Sequence, residues 1–193
     1  TPNPLISGSV ITCRPVGVLK MKDEAHAEHP GVKISIFLRF ADYRYVAGMA
    51  GLIDDKTKAV YVETIGNPRF NVPDLPAIAA VAHDAGVPFV VDNTFATPIN
   101  QNPLDLGIDI VAHSGTKYLG GHSDLTGGVI VVKEMDGFYE EMRAVQGIGG
   151  AVPSGFDCWL LLRGIQTLHL RAERMCQNAA KLAAFLDSHD KVQ

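Results

Sequence analysis

The sequence predicts an α/β fold with a mainly parallel sheet, and three observations support that prediction. Short apolar, β-branched runs recur along the chain, segments with helical spacing separate them, and several of the runs end in a charged or polar residue. Buried parallel strands have this near-continuous apolar character, and their alternation with helices is typical of βαβ units. The chain has 193 residues, 47% of them hydrophobic, which is enough to bury a sizeable core.

The first elements are two strands and a short helix. Residues 10–12 and 34–38 are short and β-branched, which predicts strands, and the polar segment 20–29 between them is open to a helix or a loop. We interpret residues 45–53 as an ordinary helix. Residues 58–63 then predict a third strand, which ends in the charged Glu63.

The next element is a helix over residues 74–85. Asp74 is a suitable N-cap, apolar residues follow at helical spacing, and Gly86 ends the pattern. Asn67-Pro68, just before this helix, predicts a turn. Three further strands are predicted at residues 88–92, 108–112 and 128–132.

The last part of the chain has a different character. Ser154 and Asp157 predict a helix start, and near-helical apolar spacing continues from there to about Ser188. A single helix of roughly 30 residues would be about 45 Å long. Since such a helix commonly leads to another domain, we expect residues 1–153 to be part of a large domain and residues 154–193 to be the connecting helix. We expect this helix to lead to a C-terminal domain that is absent from this sequence.

The composition argues against several classes of function. Seventeen Lys and Arg against twenty-one Asp and Glu give a formal net charge of −4, unlike the basic surplus of a nucleic-acid binder. No apolar run is long enough to cross a bilayer, so we expect neither nucleic acid nor a membrane as a partner. The three cysteines are odd in number and widely spaced, which favours a cytoplasmic location. We expect no metal site, because no Cys/His cluster has zinc spacing.

Polar side chains at the ends of the predicted strands are the first candidates for a site. Parallel sheets bind ligands outside the carboxyl ends of their strands. The candidates on this ground are Glu63, Asp92, His113 and Ser114. We expect His113, like His122 further on, to be a packing or hydrogen-bonding residue rather than a base or a metal ligand.

Lys117 is the strongest single candidate for chemistry. It follows a predicted strand and has Ser114, Gly115 and Thr116 just before it. We expect it to be buried in a polar pocket, where burial disfavours the charged amine and makes it available as a nucleophile or a base. The two hydroxyls and the nearby backbone N–H groups suit a phosphate. A plain strand-to-loop turn with a solvated lysine is the alternative.

Asp92 supplies a second group that one particular cofactor requires. A carboxylate that faces a pyridine nitrogen keeps it protonated, so that the ring withdraws electrons from a carbon joined to it through a Schiff base. A lysine, such a carboxylate and small phosphate donors together are what pyridoxal 5'-phosphate (PLP) needs. Each residue alone is weak evidence, since a strand-end Asp is commonly a cap or turn residue.

Four blocks of sequence resemble one known family. They are YVETIGNP at 61–68, VDNTFATP at 91–98, HSGTKYLGGHSD at 113–124 and PSGFDCWL at 153–160. In this order they resemble the PLP-dependent enzymes of cysteine and methionine metabolism. These include cystathionine γ-synthase, cystathionine γ-lyase, methionine γ-lyase and O-acetylhomoserine sulfhydrylase. The resemblance runs from about Leu52 to the end of the chain.

This resemblance implies a type I PLP fold, that is, an aspartate-aminotransferase-like large domain followed by a long connecting helix. It implies that Lys117 forms the Schiff base with the cofactor and acts as the catalytic residue. Asp92 would hold the pyridine nitrogen, and Ser114 and Thr116 would bind the phosphate.

Three further cofactor-binding residues follow from the same resemblance. Asn67 would lie near the phenolic oxygen of the cofactor and Thr94 against its ring. Glu63 would support the pocket. The alternative for Asn67 is a turn residue before Pro68, and for Thr94 a turn hydroxyl.

The resemblance also implies an activity. We expect γ-elimination or γ-replacement on a sulfur amino acid or an O-acylhomoserine, as in cystathionine γ-synthase or γ-lyase, by a cytoplasmic homodimer or homotetramer. O-acetylhomoserine sulfhydrylase and methionine γ-lyase activities are the alternatives within the family. A nucleotide enzyme is disfavoured, because neither GxxxxGK[ST] nor GxGxxG is present.

A missing ring-stacking tyrosine, together with the lack of a match to the N-terminal arm and the C-terminal domain of the family, favours a rival interpretation, a truncated, non-catalytic family member. Residues 14–18, where the family has a ring-stacking tyrosine, contain no aromatic residue. The pair Gly48-Met49 resembles the phosphate-loop pair of the family but lies too close to Lys117 in the sequence.

Overall fold

The computed structural model describes residues 7–13, 35–42 and 44–192. The strands in these ranges are β1 Ser7–Cys13, β2 Ser35–Phe40, β3 Thr57–Glu63, β4 Phe89–Asp92, β5 Ile110–Ser114 and β6 Gly128–Val132. The helices are α1 Val46–Ala50, α2 Leu75–Asp84, α3 Thr97–Asn100, α4 Gly137–Gly149, α5 Gly155–Ile165 and α6 Leu168–Asp187. A 3₁₀ turn spans Pro103–Leu106 and a π-helical turn spans Gly115–Leu119. No helix in the described ranges could span a membrane.

The six strands form one sheet in the order β2-β1-β3-β4-β5-β6. The pairs β1–β2, β1–β3, β3–β4 and β4–β5 are parallel. β6 runs antiparallel to β5, since Lys133, just after β6, donates its N–H to the carbonyl of Asp109, just before β5, at 2.9 Å. The predicted α/β class with a mainly parallel sheet is therefore confirmed.

The chain divides into two compact units. Unit 1 comprises the described residues up to Asn93 together with Pro103–Ala112 and Ile130–Met135. Unit 2 comprises Thr94–Asn102, His113–Val129 and the described residues from Asp136 onward.

The core of unit 1 lies on one face of β3 and β4. Val60, Val62, Phe89 and Val91 are almost fully buried there, and α2 contributes the buried side chains Leu75, Ile78, Ala79 and Ala82. Each fully buried large apolar side chain contributes about 1.5–3 kcal/mol. Successive strand residues point to opposite faces, so the intervening residues, which include Tyr61, Glu63 and Asp92, share the other, half-buried face.

Local signals predicted α2 and most strands correctly. The Asp74 carboxylate accepts the N–H of Ala77 at 3.1 Å, and Gly86 adopts a positive φ of 69° just beyond the helix. A short helix, α1, lies within residues 45–53 as expected. β5 begins two residues later than predicted and extends to Ser114, which makes Ser114 the last residue of the strand. Segments 14–18 and 20–29 lie outside the described residues.

The single long helix predicted from residue 154 is wrong, because α5 and α6 are separate helices. The predicted start is confirmed: Ser154 Oγ accepts the N–H of Asp157 at 3.1 Å. The break follows from the carbonyl of Gly164 near the end of α5. It accepts the N–H and hydroxyl of Thr167, both at 3.2 Å, and the guanidinium of Arg171 at 2.7 Å. These donors take the place of the N–H group that a further helical turn would provide, so the helix can end here.

Candidate active site

In unit 1, Asp92 is held at the end of β4 by the neighbouring strand β3. Its carbonyl accepts the N–H of Thr64 at 3.0 Å and the Thr64 hydroxyl at 3.2 Å. Its carboxylate oxygen Oδ2 accepts the hydroxyl of Tyr61 at 3.1 Å. The sheet thus fixes the main chain of Asp92, and Tyr61 fixes one oxygen of its side chain.

Glu63 and Asn67 form a second contact in unit 1. The Glu63 carboxylate accepts the backbone N–H of Asn67 at 2.9 Å. The predicted turn is present, and the Asn67–Pro68 peptide bond is cis. Asn67 is exposed. Glu63 therefore fixes the turn that carries Asn67.

In unit 2, two of the candidate hydroxyl residues are engaged with main-chain groups. Thr94 Oγ1 accepts the N–H of Ser114 at 2.8 Å. Thr116 Oγ1 accepts the N–H of Gly127 at 3.0 Å and donates to the carbonyl of the same residue at 3.3 Å. The donated bond is at the long end of the hydrogen-bond range. A phosphate that binds the Thr116 hydroxyl has only this weak bond to displace.

Lys117 lies in the π-helical turn that directly follows β5. Its φ of −92° and ψ of −117° depart from helical values, so the turn is kinked at this residue. The expected burial of Lys117 is wrong for the described chain, because the side chain is exposed. The buried positions of the turn are taken by Gly115 and Leu119.

Arg171 binds the turn that carries Lys117, and this role was not predicted from the sequence. The Arg171 guanidinium donates to the carbonyls of Tyr118 at 2.7 Å and Leu119 at 3.4 Å, besides Gly164. A cation that binds carbonyls at the end of a helical turn compensates their partial negative charge. Arg171 therefore joins the Lys117 turn to α5 and α6 within unit 2.

Gly164 permits this close approach of α5 to the turn. A Cβ atom at Gly164 would lie 2.2 Å from the carbonyl oxygen of Gly120 and 2.8 Å from that of Leu119. No side chain fits at such distances. A glycine inside a predicted helix was the sequence signal for a packing contact of this kind.

A Gly164→Ala variant is expected to lose folding stability by about 3 kcal/mol, because the added methyl forces α5 away from backbone atoms that cannot yield. Denaturant unfolding measures the loss. The matched control is Gly147→Ala in α4, where a Cβ meets nothing within 4 Å. That change is expected to stabilise by up to about 1 kcal/mol. Equal effects of the two changes would contradict the close contact.

The two histidines of this region are His113, in β5, and His122, in the loop that follows the Lys117 turn. His113 is buried in β5 with 8% of its surface exposed. The Nδ1 atom of His122 lies 2.8 Å from the carbonyl oxygen of Gly120, within its own loop. Within the described ranges, no three His, Cys, Asp or Glu side chains come together as a metal site requires.

Each of the two units carries candidate groups of its own. Unit 1 carries the Asp92 carboxylate, which suits a protonated ring nitrogen. Unit 2 carries an exposed primary amine at Lys117, which suits an aldehyde, and the hydroxyls of Thr94, Ser114 and Thr116, which suit a phosphate. The chemistry of this donor set fits PLP.

Comparison with known proteins decides the family. The family model of the Cys/Met metabolism PLP-dependent enzymes matches residues 26–193. The chain belongs to this family. The resemblance noted in the four sequence blocks is thereby confirmed, and PLP is the cofactor of the family by its description.

Individual relatives are similar over most of this chain. A cystathionine beta-lyase of Coxiella burnetii is 46% identical over 154 residues, which are 80% of this chain and 40% of that protein. A cystathionine gamma-lyase of Bacillus subtilis is 52% identical over 141 residues, which are 73% of this chain and 37% of that protein. This member of the Cys/Met family thus spans well under half the length of these two curated relatives.

A solved structure extends the similarity to the fold. The crystal structure of a cystathionine gamma-lyase from Lactobacillus plantarum complexed with L-serine matches with a TM-score of 0.86 and 36% identity. The match covers 97% of this chain and 48% of that one. The predicted type I PLP fold is therefore confirmed for this member of the Cys/Met family.

Proposed function

We propose that this protein catalyses γ-elimination or γ-replacement on a sulfur amino acid or an O-acylhomoserine, with PLP held by Lys117 and Asp92. The observation that carries the proposal is the family match over residues 26–193, which includes every candidate site residue. Bound PLP supplies an electron-withdrawing ring that stabilises negative charge at carbons of the substrate.

Lys117 has two tasks in this proposal. Its amine would hold the cofactor covalently before the substrate binds. The amine then serves as a general base and a general acid. It removes the proton from Cα of the substrate, and it moves a proton at Cβ so that the γ-substituent leaves. A base attached to the scaffold near its target contributes about 10²–10⁴-fold to the rate.

The remaining residues bind and orient. Asp92 holds the protonated ring nitrogen as an ion pair, and Ser114 and Thr116 bind the phosphate. We assign Thr94 to the ring face and Asn67 to the phenolic oxygen. Glu63 orients Asn67 through the bond to its backbone N–H at 2.9 Å.

Product analysis with the full-length protein and PLP tests the proposed reaction. From cystathionine, γ-elimination releases cysteine, 2-oxobutanoate and ammonia, whereas β-elimination releases homocysteine, pyruvate and ammonia. We expect the first set. The relative named cystathionine beta-lyase, 46% identical over 154 residues, makes β-elimination the second candidate.

Further substrates separate the remaining activities. γ-Replacement is detected as cystathionine formed from cysteine and O-succinylhomoserine or O-acetylhomoserine. Sulfide with O-acetylhomoserine tests the sulfhydrylase activity, and methionine tests the γ-lyase activity on that amino acid. Binding of PLP without turnover of any of these compounds would contradict the proposal and favour a non-catalytic family member.

We also propose a homodimer or homotetramer that works in the cytoplasm on a small amino-acid substrate. The cysteines Cys158 and Cys176 are free and exposed, which fits a reducing compartment. Sedimentation of the full-length protein at several concentrations measures its assembly. A monomer at every concentration would overturn this part of the proposal.

A further inference from the structure

Resting on the function proposed above, we infer that Tyr61 is a positioning residue for PLP. Its hydroxyl orients the Asp92 carboxylate and stabilises its negative charge, so that this carboxylate binds the ring nitrogen of the cofactor in one fixed geometry. Tyr61 acts through Asp92.

The two residues meet because of the register between β3 and β4. In that register Tyr61 is opposite Val90 and Glu63 is opposite Asp92. Tyr61 and Asp92 are therefore diagonal neighbours on the same face of the sheet, a spacing that a long aromatic side chain can bridge. The tyrosine oxygen lies 3.1 Å from Oδ2 of Asp92, within hydrogen-bond range though longer than the usual hydroxyl–oxygen distance.

Both ends of this contact are anchored in the sheet. Tyr61 stands between Val60 and Val62, each only 1% exposed. The carbonyl of Asp92 is bound twice by Thr64, at 3.0 Å and 3.2 Å. With both main chains fixed, the remaining freedom of Asp92 is rotation of its side chain. The Tyr61 hydroxyl restrains that rotation.

The surrounding charges show why a neutral donor suits this position. Glu63 is next to Asp92 in the parallel register and is a second carboxylate, and neighbouring like charges repel each other. A hydrogen bond from Tyr61 offsets part of that cost, because bonds to charged groups are the stronger ones. A lysine or arginine in place of Tyr61 would instead compete with the protonated ring nitrogen for the same carboxylate.

The test compares two ligands in the full-length protein. One is PLP, and the other is an analogue in which C–H replaces the ring nitrogen. Titration of the cofactor-free protein, followed by the absorbance of the bound aldehyde, gives a Kd for each. In Tyr61→Phe we expect the Kd for PLP to rise about tenfold, whereas the Kd for the analogue changes by less than about twofold.

The analogue separates positioning from a structural role. If Tyr61 only stabilised the fold, Tyr61→Phe would weaken the binding of both ligands equally. That result would overturn the inference, as would an unchanged Kd for PLP. The matched control is Tyr45→Phe, since Tyr45 is 67% exposed, and it is expected to change neither Kd. Failure of the unsubstituted protein to bind PLP at all would overturn the proposed function and this inference together.

Discussion

A Lys117→Ala variant of the full-length protein is expected to lose covalent attachment of PLP and at least about a thousandfold in turnover. Both effects follow from one group, since the same amine binds the cofactor and moves the protons. The absorbance band at about 420 nm, typical of PLP joined to a lysine, is expected to disappear. Borohydride reduction followed by peptide mass analysis locates the labelled residue.

The control for this variant is Lys181→Ala, which removes an exposed lysine from α6. It is expected to leave the band, the label and the turnover unchanged. A label that stays in the peptide map of Lys117→Ala at the original intensity would show that another lysine carries the cofactor.

An Asp92→Asn variant is expected to keep the covalent cofactor but to lower turnover by about 10²–10³-fold. The amide has nearly the shape of the carboxylate, so that it leaves the strand end intact. It carries no negative charge to hold the proton on the ring nitrogen, and the ring then stabilises charge on the substrate less well. Steady-state kinetics and the absorbance spectrum measure the two effects.

Asp74→Asn is the matched control for Asp92→Asn, because it makes the same change at the N-cap of α2. Asparagine caps a helix as well as aspartate does, so stability and turnover are expected to persist. Equal turnover in the two variants would show that the reaction does not need the Asp92 carboxylate.

Elements with local signals were predictable from the sequence. The buried alternation in β3 and β4 and the N-cap at Asp74 are determined by residues close together in the chain. The break between α5 and α6 was not predictable, because it depends on Arg171 reaching the carbonyl of Gly164. That contact appears only after the helices pack.

The candidate site also has features that were predictable from the sequence and features that were not. The motif around Lys117 is visible in the sequence, but the exposure of its side chain depends on which positions of the turn face the interior. Tyr61 was missed as a partner of Asp92 because the two are 31 residues apart in sequence. Only the register of β3 on β4 makes them neighbours.

The crystal structure of the full-length protein with PLP is the most direct test of the central proposal. We expect density that joins the cofactor to the Lys117 amine, with the ring nitrogen about 2.7–2.9 Å from a carboxylate oxygen of Asp92. A cofactor joined to a different lysine, or a ring nitrogen beyond hydrogen-bond reach of Asp92, would contradict it.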